Sequence, residues 1–149
     1  MTNPFDLKTA IFAKHAQHVV LVHFPIALFL TGVAFDVLAT WRKRQSLADA
    51  AYFNLLGAAI AAIPTIATGL LAWRFQLEGQ ALKGVLPLHL VFACLSVVAI
   101  WLVWWLHWRA RRQSAPLPTF RLLVELVAVA LVAITGHLGG FLSGVNLPG

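Results

Sequence analysis

The chain has 149 residues, is 60% hydrophobic and only 11% charged, and carries a formal charge of +6 from eleven Lys and Arg against five Asp and Glu. Soluble domains run at about 45–50% apolar and about 25% charged residues, and a chain this short has no core large enough to hide the excess, so lipid is the expected solvent. The lone Cys94 excludes an intramolecular disulfide and a Cys-based zinc or iron–sulfur centre, which makes metal chemistry a matter for the six histidines.

Residues 1–16 lack the charged start, apolar middle and small-residue cleavage site of a secretory signal, so the first apolar run is expected to stay as an anchor. With Phe5, Lys8, Phe12 and Lys14, this lead-in reads as a short interfacial helix. Four apolar stretches follow, roughly 19–40, 51–73, 85–108 and 122–142, each near the ~20 residues that a helix needs to cross the hydrocarbon core. Backbone groups in lipid must be satisfied within the segment, which makes these runs helices. Short polar linkers separate them, WRKRQSLAD, RFQLEGQALKG and RARRQSAPLPTFR, and short linkers join antiparallel neighbours. The expected fold is all-α: one integral membrane domain over 1–149, an up-and-down four-helix bundle, with no repeat visible in the sequence.

Arg42, Lys43 and Arg44 in the first linker, with Arg109, Arg111, Arg112 and Arg121 in and around the third, hold most of the positive charge. The positive-inside rule then places both linkers on the cytoplasmic side of the membrane, with both termini outside. The charge therefore marks topology rather than a nucleic-acid partner, and the partner surface is the bilayer. Association with further copies or with other subunits stays open. Trp41, Trp73, Trp101, Trp104, Trp105 and Trp108 fall mostly near span ends, as an aromatic belt does. The run Gly57, Ala58, Ala59, Ala61 and Ala62 suits close helix packing, and Cys94 reads as a small packed residue.

Depth counting gives the informative pattern. His23, His89 and His137 each lie about four or five residues inside the outer boundary, about 5–8 Å deep at ~1.5 Å per residue, with His18 at the mouth of the first span. Thr65 and Thr68 of the second span stand near the same level. Ionisable residues inside a membrane mark functional sites by default. Helices one and three are diagonal in an up-and-down bundle, so His23 and His89 are expected to face each other as axial ligands of a haem b. His137 and His18 stand close by, and Gly136, Gly139 and Gly140 allow close approach to the backbone or serve as a helix C-cap. His18 and His23, five residues apart, differ by about 140° around the helix and cannot both face the axis. A histidine-only copper site, a three-histidine zinc site, and a structural subunit whose histidines only bond neighbouring helices are the other readings. Asp36 and Glu125 fall at the cytoplasmic ends of their spans, where Glu125, four residues from Arg121, suits an interfacial salt bridge. His107 lies on that side without a histidine partner. No nucleophilic triad or phosphate-binding glycine loop is present, so an electron-transfer or structural role is expected rather than independent catalysis.

The stretch HVVLVHFPIAL from His18 to Leu28, with Phe35–Asp36, TGLLAW at Thr68–Trp73, Leu88–His89 and GHLGGFL at Gly136–Leu142, resembles a family of bacterial four-helix membrane proteins, the domain-of-unknown-function family 2231. The resemblance spans about residues 17–145. It implies family positions at His18, His23, Asp36, Thr68, Gly69, His89, Gly136, Gly139 and Gly140. Val19 stands where Pro is usual, Ala72 where Asp is common and Ala93 where Asn often occurs, while His137 takes a position that many relatives fill with Trp. The family's frequent company of cytochrome c and Rieske modules implies, by association, electron exchange with quinol or a periplasmic redox partner such as cytochrome c.

Overall fold

The computed structural model describes residues 16–76 and 84–143. The expected interfacial lead-in around Phe5 and Phe12 lies outside them. Four helices make up the described chain: α1 (Ala16–Arg42), α2 (Gln45–Gln76), α3 (Val85–Arg112) and α4 (Arg121–Leu142). All four are long and apolar enough to cross a membrane, and no strand occurs among the described residues.

The helices run further than the apolar stretches do. Much of the expected first linker is helical, leaving only Lys43 and Arg44 between α1 and α2. Lys43 adopts a left-handed φ of 51°, which ends α1 and reverses the chain. Arg109, Arg111 and Arg112 form the last turn of α3, where cations meet the negative end of the helix dipole. Pro116 and Pro118 then keep the following link out of helix until Arg121.

Sequential helices pack against each other, α1 most extensively on α2, then α3 on α4, and the two hairpins meet mainly through α2 and α3. The α1–α2 crossing is tight because Gly32 lets the backbones approach: a Cβ there would stand 2.9 Å from Leu55 Cγ and 3.2 Å from the Leu55 backbone nitrogen. Ala58, Ala59 and Ala62 are buried beside it, as the small-residue run suggests. Phe29, Leu55, Ile100, Val103, Ala128 and Val132 complete the core. Most remaining large apolar side chains point outward, the pattern of a bundle whose solvent is hydrocarbon. Cys94 is among the exposed residues rather than packed inside.

The buried positions repeat. On α1 they are Pro25, Phe29, Gly32, Asp36 and Ala39; on α3, Ser96, Ile100, Val103, His107 and Ala110 follow each of these by 71 residues, and Leu106 is buried in addition. Ala51, Leu55, Ala58 and Ala62 on α2 correspond likewise to Arg121, Glu125, Ala128 and Val132 on α4, at a spacing one residue shorter. The two hairpins are thus parallel structural repeats, α1 matching α3 and α2 matching α4, about an axis along the bundle. No repeat was expected from the sequence, because the repetition lies in burial and not in residue identity.

Candidate functional site

The starts of α1 and α3 and the ends of α2 and α4 meet at one end of the bundle, the histidine end; the arginine-rich turns form the other, the basic end. Toward the histidine end no described residue beyond Pro25, Ala62, Ser96 and Val132 is fully buried. The interior there is lined by half-buried polar groups.

His18 and His89 stand half-buried at this end, on the diagonal helices α1 and α3. The His18 ring lies 3.2 Å from Thr68 Oγ1 through its Nδ1. The Thr68 hydroxyl donates its own proton back to the Pro64 carbonyl at 2.9 Å, so its oxygen accepts from His18 Nδ1–H. His89 Nδ1 lies 3.2 Å from the Thr135 carbonyl, which can only accept. A proton on Nδ1 satisfies both contacts and leaves each Nε2 lone pair as a donor to a metal, the arrangement in which histidines ligate metals.

The rings are also seated alike. A Cβ on Gly69 would come 3.0 Å from His18 Cε1, and one on Gly139 would come 3.3 Å from His89 Cε1. Thr65 and Thr135 stand four residues before these glycines, at repeat-equivalent positions, and each hydroxyl donates to its own i−4 carbonyl at 2.9 Å. Thr65 also reaches the Leu21 carbonyl at 3.4 Å, which Pro25, lacking an N–H, leaves without its helical donor. Thr135 Oγ1 pairs with Ser96 Oγ at 2.9 Å, at the position that matches Pro25. Each hairpin thus ties its two helices with a threonine hydroxyl beside its histidine.

The expected opposition of His23 and His89 is not formed. His23 is exposed, its Nδ1–H donating to the Val19 carbonyl of its own helix at 2.6 Å. His18, one of the two rings that cannot both face the axis, takes the inward position because Thr68 and Gly69 receive it. His137 is exposed and meets Phe141 edge-on, with ring centroids 5.0 Å apart. A Cβ on Gly136 would meet nothing within 4 Å, and Gly140 is half-buried on the same helix. Of the residues singled out from the sequence, His18 meets Thr68 and His89 meets Gly139, whereas His23, His137 and Gly136 face outward.

The basic end holds a second cluster that differs from the expected pairing. Arg121 does not bridge to Glu125; its Nε donates to Asp36 Oδ2 at 2.8 Å and its Nη2 to Thr40 Oγ1. Glu125 Oε1 instead pairs with His107 Nε2 at 3.0 Å, and Glu125 Oε2 is buried without a hydrogen-bond partner. Asp36, His107 and Glu125 are 1%, 5% and 1% exposed. Nearer the surface, Arg111 reaches Asp49 at 2.7 Å. Arg42, Arg109 and Arg112 lie over Trp41, Trp105 and Trp108, which fixes part of the expected aromatic belt. The signal in the sequence was the set of ionisable residues within apolar spans; pairing by helical spacing alone missed their partners on other helices.

Residues 14–145 match the family model "Predicted membrane protein (DUF2231)", and the chain belongs to that family. No curated protein and no solved structure matches it.

Proposed function

We propose that this DUF2231 membrane protein is a haem b-binding electron-transfer protein, with His18 and His89, one from each hairpin, as the residues that would hold the iron. The observation that carries the reading is the matched pair of Nδ1-anchored imidazoles at the half-covered end of the bundle. Two equivalent ligands related by the repeat suit a group that needs one imidazole on each face. A three-histidine copper or zinc site has less support, since His23 and His137 face outward.

The chain's own residues would act as follows. Thr68 and the Thr135 carbonyl hold the Nδ1 protons, keeping both Nε2 atoms basic and the rings oriented. Gly69 and Gly139 leave the rings their seats. The half-buried polar groups that line this end would tune the potential of a bound iron. A bound haem supplies one-electron transfer, and quinol in the bilayer or a cytochrome c-like carrier are the partners of suitable chemistry.

The test is the visible spectrum of the purified protein, oxidised and dithionite-reduced. Soret and α bands of a six-coordinate haem are expected, converted or lost in His18→Ala and His89→Ala and retained in His23→Ala. A colourless protein after haem supplementation overturns the reading and favours the structural-subunit alternative.

A further inference from the structure

The basic-end cluster plays no part in the function proposed above. We propose that Asp36, His107 and Glu125 form a buried binding site for a divalent cation of the zinc class. The three residues come from α1, α3 and α4, and one ligand atom from each lies within 4.8 Å of the other two. A modest inward movement brings such a set onto one ion with bonds of about 2.0–2.2 Å to imidazole nitrogen and carboxylate oxygen. Three protein ligands with one further position for water or hydroxide make up a common zinc arrangement.

Three further observations point to a cation. First, Glu125 Oε2 is buried without a partner, and a carboxylate oxygen in that state is costly unless a positive charge reaches it. Second, when His107 is neutral, as a metal ligand must be, Arg121 offsets only one of the two carboxylates of Asp36 and Glu125. A dication carrying a hydroxide supplies the missing single positive charge. Arg121 engages Asp36 through Oδ2, so it orients the carboxylate while Oδ1 is left to ligate, as outer-shell partners do in metal sites.

Third, packing does not require these groups. The repeat places Leu55 at the position of Glu125 and Ala51 at that of Arg121, both fully buried in the first hairpin. The first hairpin fills these two α2 positions with apolar side chains, and apolar replacement of buried ion pairs is often neutral or stabilising. Glu125 and Arg121 thus bring polar groups that packing does not call for to face Asp36 and His107.

The experiment uses the full chain in detergent, carrying His18→Ala and His89→Ala to remove the two inward-facing histidines of the other end. The protein is stripped with chelator and dialysed against Zn2+. One retained ion per chain is expected, with affinity in Glu125→Gln and His107→Gln falling by more than the roughly 10–100-fold that loss of an outer-shell partner costs. Co2+ serves as a second probe on the unmutated cluster, where visible bands stronger than those of the aqua ion are expected. Retention no higher than a detergent blank, affinity unchanged in both cluster variants, or an aqua-like Co2+ spectrum overturns the proposal. The variants are compared only where helicity and elution volume match the parent. Because the two residues of the haem reading are absent from these samples, the outcome is independent of that reading.

Discussion

Arg121 of the last helix donates through Nε to Asp36 of the first at 2.8 Å, an ion pair closed over 85 residues of chain and almost wholly removed from solvent. Removing one partner strands a buried charge, whereas removing both strands none. In metal-free protein Arg121→Met is expected to cost about 3–5 kcal/mol of unfolding free energy, while the Asp36→Leu/Arg121→Met double variant recovers most of that loss. Reversible denaturation in mixed micelles measures both. A double variant no more stable than Arg121→Met contradicts the assignment of the loss to an unpaired carboxylate.

The glycine seats predict a graded spectroscopic response. Gly69→Ala and Gly139→Ala each put a methyl against an imidazole, at 3.0 and 3.3 Å, whereas Gly136→Ala meets nothing. All three gain up to about 1 kcal/mol of helix propensity, so a general loss of folding is not the expected outcome. In haem-loaded protein, low-spin EPR g-values and the midpoint potential should shift most in Gly69→Ala, less in Gly139→Ala and least in Gly136→Ala. Equal responses from all three count against ring displacement as the cause.

Gly32 tests the helix crossing. Its missing Cβ lies against Leu55 Cγ and the Leu55 backbone nitrogen, so the side chain can yield but the backbone behind it cannot without moving α2. Overpacking costs of about 1–3 kcal/mol exceed the propensity gain. Gly32→Ala should lower the unfolding midpoint, while Gly57→Ala, which meets only the flexible end of Leu28, should leave it close to the parent value.

A compensating pair is expected around Pro25. Thr65→Val removes a hydroxyl that reaches the Leu21 carbonyl, and interhelical hydrogen bonds in membranes average roughly 0.6 kcal/mol, with an upper end near 1.7. Pro25→Ala in the same background restores a backbone donor to that carbonyl. Thr65→Val should therefore be less destabilising in the Pro25→Ala protein than in the parent, as a double-mutant cycle of unfolding free energies would report.

The spans and the gathering of histidines at one end were legible because hydropathy and residue count set both. Depth counting, however, reports level and not azimuth. It ranked His23 with His89, and only the position of Thr68 and Gly69 on a neighbouring helix turns His18 inward instead. Glu125 shows the same limit: the four-residue spacing to Arg121 is real, but buried side chains bond to whatever lies across the interface, here His107 and Asp36. The repeat escaped notice because Gly32 answers Val103 and Asp36 answers His107, pairs with no chemical likeness that share only a place in the packing.

The link between Gln76 and Val85 joins two hairpins that each contribute a single imidazole to the histidine end. A gene divided within that link would yield two polypeptides, neither holding the pair of imidazoles. The pair would arise only when the two pieces found one another in the bilayer. Coexpressed fragments would thus turn the histidine end into a readout of assembly between separately inserted membrane segments.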